Sequence, residues 1–317
     1  MTPFAIGSVP KAAPTTRPLK VLLDTDIGSD IDDAVALSYL LKKPNCSLLG
    51  ITTVSGDAVN RARLAKTLCE AAGKSVPIYP GIEKPLIVAQ RQHSAPQASR
   101  LSGKQASFPK GRAIEFMRTT IRQNPGEVTL LAVGPFTNIA TLFKTDPEIP
   151  HLLKELVVMG GKFSDYPTPW GPTEWNAIVD PHATAIIFSS KAPLRAFGLD
   201  VTWQVSMTPD QVTKNFKGDK LLDIVLDWSM VWFQERDLLH FHDPLAATGV
   251  FHPEICKYKR GHIQVELDET ELLGVTHFQS SQAGKLIAAE SVNADGFFQE
   301  YFSVFSNHAR ASVDKKL

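Results

Sequence analysis

Five aspartates fall within ten consecutive positions, Asp24, Asp26, Asp30, Asp32 and Asp33, directly behind the apolar residues 21–23. Carboxylates this close repel one another unless positive charge sits among them, and residues 21–41 contain no Lys or Arg. A single Asp at a strand-to-helix junction ordinarily caps the helix. Five are more than capping uses. A dense all-oxygen set suits a hard divalent cation, calcium with about six to eight oxygen ligands or magnesium with about six in a stricter geometry. It is not an EF-hand, whose Gly and closing Glu fall at other positions.

Side chains of this kind need strands that end along one edge. Short apolar runs alternate with amphipathic stretches: strands are expected at 21–24, 47–54, 77–81, 128–134, 155–161 and 194–202. Between and after them, helices are expected at 32–41, 60–72, 112–123, 136–143 and 180–189. Continuous apolar strands alternating with helices imply an α/β fold, a Rossmann-like, open and mostly parallel sheet covered on both faces. In such sheets, sites form at the carboxyl ends of strands, where Asp24 and Asp26 fall. A helical block at 221–236, an antiparallel pair around 262–278 and a helix at 297–308 follow. Residues 83–110 read as irregular, a length often used for lids. Residues 1–19 read as a loose tail and 20–317 as one domain.

The 317 residues carry 33 Lys plus Arg against 33 Asp plus Glu, which gives no electrostatic case for nucleic acid or an anionic membrane surface. Three scattered cysteines, with no CxxC, read as free thiols of a reducing compartment. No apolar run reaches the roughly 18 residues of a membrane span, and the first 20 residues make a poor secretory signal. The expectation is a cytoplasmic protein.

The stretch "DTDIGSDIDDAVAL" (24–37) is followed in order by "ITTVSGD" (51–57), "LLAVGPFTNIA" (130–140), "ELVVMGG" (155–161), "TEWNAIVDPHAT" (173–184), "HDPLAA" (242–247) and "VNADGFF" (292–298). Together they resemble the nucleoside hydrolases, the inosine-uridine type of N-ribohydrolase, over residues 20 to 308. The resemblance implies calcium-dependent hydrolysis of ribonucleosides to free base and ribose, by a homodimer or homotetramer. It implies Ca2+ ligation by Asp26, Asp33, the carbonyl of Val133 and Asp243. It makes Asp26 the general base toward the attacking water, a role the cation assists by lowering the water's pKa. Asp32 would bind a ribose hydroxyl, and Glu174 and Asn176 the 5′ and 3′ hydroxyls. Asp57 and Asp243 also belong to the sugar-facing set. His242 matches a histidine that protonates the departing base, for which an imidazole is suited.

On local grounds alone, Asp243-Pro244 would read as a helix cap, as would Asp146-Pro147 and Asp180-Pro181. His93, from the irregular segment, and Trp228, Trp232 and Phe233 are further candidates for contact with the base. The chain also departs from the family. Its signature is two residues longer, which leaves Asp30 as an extra acid. Asp57 stands where the family has Asn, and a sugar-contacting Asn has no counterpart near Pro167-Thr168. Two other readings stay open: a haloacid dehalogenase-like phosphatase, whose later motifs are not found, and a protein that binds nucleosides or similar metabolites without cleaving them.

Overall fold

The computed structural model describes residues 17–102 and 106–305. Eleven strands occur: β1 (Leu19–Thr25), β2 (Cys46–Thr53), β3 (Ile78–Pro80), β4 (Val128–Ala132), β5 (Glu155–Met159), β6 (Leu194–Phe197), β7 (Ser206–Met207), β8 (Leu239–His240), β9 (Cys256–Val265), β10 (Thr276–Ser280) and β11 (Leu286–Val292). Among the helices are α1 (Asp32–Lys42), α2 (Ala58–Ala71), α3 (Ala113–Gln123), α4 (Thr137–Thr145), α5 (Ile149–Leu152) and α6 (Trp175–Val179). They continue with α7 (Pro181–Phe188), α8 (Leu199–Thr202), α9 (Pro209–Phe216), α10 (Lys220–Trp232), α11 (His242–Phe251) and α12 (Ala294–Ser303).

Nine strands form one sheet in the order β10-β9-β11-β6-β5-β4-β1-β2-β3, while β7 and β8 pair separately. From β3 to β11 every pairing is parallel; β11 with β9 and β9 with β10 are antiparallel. Side chains alternate across the sheet, and both sides are apolar. Val21, Leu23, Leu131 and Val157 enter one core, with α1, α2, α10 and α11 over it. Leu22, Leu130, Leu156 and Val158 enter the other, under α3, α4 and α7. This is why the strands read as unbroken apolar runs. The order reverses between β1 and β4, so the connections that follow them leave toward opposite faces of the sheet and a crevice forms outside their carboxyl ends.

Several expectations are corrected. The strand at 194–202 stops at Phe197, because residues 199–202 turn into α8. Gly198 permits that turn: a Cβ there would lie 2.4 Å from the Asp200 carboxylate and 2.7 Å from Phe163. The antiparallel ending contains a third strand, β11, inserted between β6 and β9. Helix α9 was not expected, although Thr208 and Gln211 form a capping box around Pro209. The last helix starts at Ala294, capped by Asn293, whose side chain accepts from Gly296 N. It ends at Ser303, with Val304 as its C-cap, short of the expected 308. Most of the expected tail lies outside the described residues, and Leu19 of that tail already belongs to β1. Among the described residues, no helix is long and apolar enough to cross a membrane.

Candidate active site

The crevice opens into a cavity of about 630 Å3 lined by Asp26, Asp30, Asp32, Asp33, Val133, Glu174, Asn176, His242 and Asp243, among others. The loop from β1 to α1 delivers the aspartates. Its Gly28 has φ +116°, and a Cβ there would lie 2.5 Å from Leu64 and 2.9 Å from Ala95. Gly134 lets the end of β4 approach, since a Cβ there would lie 2.7 Å from Asp26 Oδ1.

Asp30 Oδ1 accepts from Ile31 N (2.6 Å) at the start of α1, but none of Asp26, Asp32, Asp33 and Asp243 serves as a helix cap. The N-cap of α1 is Ile31, with no side-chain capping bond, and Asp32 and Asp33 sit in the first turn, where the helix dipole favours negative charge. The N-cap of α11 is Phe241, so Asp243 is free of that duty. Asp180, in contrast, caps α7 by accepting from Ala183 N. Asp32 Oδ2 accepts from Asp243 N at 2.9 Å, which joins the two loops. Asp33 accepts from Thr25 Oγ1.

Carboxylate oxygens of Asp32, Asp33 and Asp243 all lie within 4.8 Å of one another, and the three residues are buried. Burial holds all three carboxyls well above the ordinary carboxylate range, and repulsion adds to it: Asp30 and Asp26 act on Asp32, Asp26 and Asp32 on Asp33, and Asp32 and Asp33 on Asp243. Asp26 is raised by burial too, with Arg61 and Gln92 opposing the shift. Asp30 is pushed up to about 7, again mainly by burial. The residues that gather for a metal thus include Asp32, which the resemblance had assigned to a ribose hydroxyl. The donors are all oxygen and mostly anionic, the chemistry of a hard divalent cation, and they fit such an ion.

Glu174 caps α6 with its carboxylate: Oε1 accepts from Asn176 N (2.8 Å), and Oε2 from Gly161 N (2.8 Å) and Ala177 N (2.9 Å). Burial still pushes it up to about 7. Asn176 donates Nδ2 to the carbonyls of Val133 (2.7 Å) and Met159 (3.1 Å), so this side chain holds the backbone oxygen that the resemblance assigned to the metal. His242 Nδ1 lies 2.7 Å from Thr202 Oγ1. Its ring runs nearly parallel to those of Trp203, at 6.0 Å, and His240, at 5.3 Å. Burial, with His240 second, pushes the His242 imidazole down to about 3.

Other candidates sit elsewhere. Asp57 does not line the cavity; it takes a left-handed conformation (φ 68°) ahead of α2, and its carboxylate accepts from Asn60. Thr168 is half-buried at a turn, its hydroxyl donating to Gly171 O. Trp228 is buried in the core, Phe233 packs against that core, and Trp232 and His93 line the cavity. Asp24 is wholly buried, accepting from Thr52 and Asn138.

Several residues went unread in the sequence. Arg61 of α2 is fully buried and spreads its guanidinium over the carbonyls of Gly56, Asp26, Ile27 and Ser94 and the hydroxyl of Ser29. It supplies the positive charge that the aspartate stretch lacks locally. Gln92, Trp170, Trp175, Thr202 and Trp203 were missed as well. Their signal is three-dimensional, because they come from segments without periodicity.

Residues 21–299 match the inosine-uridine preferring nucleoside hydrolase family. The chain belongs to that family. It is 33% identical over 264 residues to a probable uridine nucleosidase 1 of Oryza sativa, covering 78% of this chain and 81% of the relative. It is 30% identical to the pyrimidine-specific ribonucleoside hydrolase RihB of Escherichia coli, covering 81% of this chain and 86% of the relative. A plant nucleoside hydrolase shares the fold with a TM-score of 0.79 at 23% identity, over 90% of this chain and 98% of the other. The Rossmann-like architecture expected from the sequence is the architecture of these nucleoside hydrolases.

Proposed function

We propose that this chain hydrolyses the N-glycosidic bond of ribonucleosides to free base and ribose, with a calcium ion held by Asp26, Asp33, Asp243 and the carbonyl of Val133. The observation that carries this reading is the convergence of the buried carboxylates of Asp32, Asp33 and Asp243, from two distant loops, within 4.8 Å of one another at one strand-end crevice, in a cavity that Asp26 and Val133 also line. When bound, the ion supplies the Lewis acidity by which water becomes a nucleophile near neutral pH.

The chain's own residues do the rest. Asp26 accepts the proton of the attacking water; a carboxylate has about four lone-pair positions, and Gln92 occupies one of them. Asp32 has one oxygen committed to Asp243 N and offers the other to a ribose hydroxyl. Asn176, with its amide nitrogen engaged, offers Oδ1 to the 3′ hydroxyl, and Glu174 offers its remaining lone pairs to the 5′ hydroxyl. The buried carboxylates also stabilise the positive charge that grows on the sugar as the bond breaks. His242 is neutral at rest. Thr202 Oγ1, 2.7 Å from Nδ1, holds the ring in place; on taking up a proton the ring becomes the imidazolium, which gives that proton to the departing base and returns to neutral. The relatives are named for uridine and for pyrimidine ribonucleosides, so uridine is the first substrate to try.

The test is Asp26→Asn, assayed for base release beside the wild type. The variant should melt near the wild type and lose roughly a thousandfold in turnover. A rate within tenfold of wild type would remove Asp26 as the base.

A further inference from the structure

Gln92 lies in the irregular stretch between β3 and α3, outside the motifs of the family signature, yet it is 6% exposed and every polar atom of its side chain is engaged. Its Nε2 donates to Asp26 Oδ2 and to Ser29 Oγ, both at 2.7 Å. Its Oε1 accepts from the indole Nε1 of Trp175 at 2.9 Å. An indole N–H can only donate, so the end of the amide facing Trp175 must be the oxygen, and the nitrogen must face Asp26. Trp175 therefore sets which way the Gln92 amide points. The segment carrying Gln92 is itself fastened to the aspartate loop: Ser94 O accepts from Arg61 (3.1 Å) and Ser29 (3.2 Å), and Gln97 N donates to Gly28 O (3.2 Å).

We propose that Gln92, oriented by Trp175, is a positioning residue that fixes the rotation of the Asp26 carboxylate and thereby governs turnover more than substrate affinity. The proposal rests on the role given to Asp26 above. A carboxylate at a strand end rotates about one bond unless something holds an oxygen, and an amide donor to a charged acceptor is among the stronger holds. The same linkage ties the base to α6, because Trp175 stands between Glu174 and Asn176, the two residues assigned to the sugar.

The experiment uses the full chain, its calcium affinity measured by titration calorimetry and its kinetics followed with the nucleoside it cleaves fastest. Gln92→Leu, which keeps bulk and loses both hydrogen-bonding ends, should lower kcat by about tenfold to a hundredfold with KM within about threefold. It should also weaken calcium binding several-fold, since Asp26 is one of the proposed ligands. Trp175→Phe keeps the ring and removes only the N–H; it should lower kcat by a smaller factor, and the double variant should be no worse than Gln92→Leu alone, as for residues acting in series. Trp175 is 48% exposed, so its variant remains informative where Gln92→Leu fails to fold. A kcat within about twofold of wild type in Gln92→Leu, a loss carried by KM, or losses that multiply in the double variant would each overturn the proposal. If the wild type releases no base, the activity proposed above falls, and the calcium titration decides alone: equal affinity in wild type and Gln92→Leu overturns the role of Gln92.

Discussion

Replacing Asp243 by Asn removes one of three carboxylates whose oxygens lie within 4.8 Å of one another, while keeping the side chain's size and the backbone N–H that donates to Asp32. Two unit charges at that separation repel by about 3.5 kcal/mol at an effective dielectric constant of ~20. Proton uptake relieves part of this, so removing the charge should stabilise the cation-free protein by about 1–2 kcal/mol, or about 2–8 °C in melting temperature. With calcium the order reverses. A ligand at a thousand times its Kd stabilises the fold by about 4 kcal/mol, and a variant that has lost a ligand forfeits most of that. Thermal unfolding by circular dichroism should therefore cross: Asp243→Asn melts above the wild type in excess chelator and below it in excess calcium. The gap in chelator should widen with rising pH. Carboxyls held above their ordinary range bind protons more tightly in the folded state, so the wild type loses stability as those protons leave. If the variant melts lower in chelator, or if both proteins gain equally from calcium, these carboxylates are not the seat of the ion.

Three further outcomes are expected. Arg61→Met takes the side-chain donor from the carbonyls of Gly56, Asp26 and Ile27, while Ser94 O and Ser29 Oγ keep Ser29 and Gln92 as donors. It also removes a buried charge that faces Asp26 and Asp33, so it should cost about 3–5 kcal/mol; a melting temperature within ~2 °C of wild type would contradict that. His242→Ala should slow base release from uridine far more than hydrolysis of a nitrophenyl riboside, whose leaving group needs no proton, and equal losses would remove His242 as the donor. Asp146, gripped by Arg122 and Arg118, has its carboxyl pulled down to about 2. Its contribution is present above the ordinary carboxylate range and lost as pH falls through about 2. The melting gap between Asp146→Asn and wild type should thus exist at neutral pH and close between about pH 4 and pH 2; no gap at neutral pH would refute it.

The central strands and their helices were legible because burial on both faces leaves continuous apolar runs, as in β1, β4 and β5. The aspartate loop was legible because charge repulsion makes its composition improbable without a ligand. Strand β11 was not, since its apolar run is only Leu286, Ile287, Ala288 and Ala289 before Glu290 and Ser291, and its burial follows neither strict alternation nor an unbroken apolar stretch. Asp57 was read from its neighbours in sequence, but a left-handed backbone directs it toward Asn60 and away from the cavity. Trp228 and Trp232 lie on one helix, and nothing in their spacing tells which faces the core and which the cavity. Arg61 and Gln92 meet the aspartates across 35 and 66 residues of chain, and contacts at that separation leave no local pattern.

The measurement that bears most directly on the central claim is the release of free base from uridine, cytidine, inosine and their deoxy counterparts by the wild-type chain, with calcium and after chelation. The expected result is base release that chelation abolishes and added calcium restores, with ribonucleosides preferred over deoxyribonucleosides because the 2′ hydroxyl left for Asp32, once Asn176 and Glu174 take the 3′ and 5′, is the one a deoxyribonucleoside lacks. Release that survives complete chelation would contradict the metal site. Folded, calcium-loaded protein that binds these nucleosides and releases no base would contradict the hydrolase.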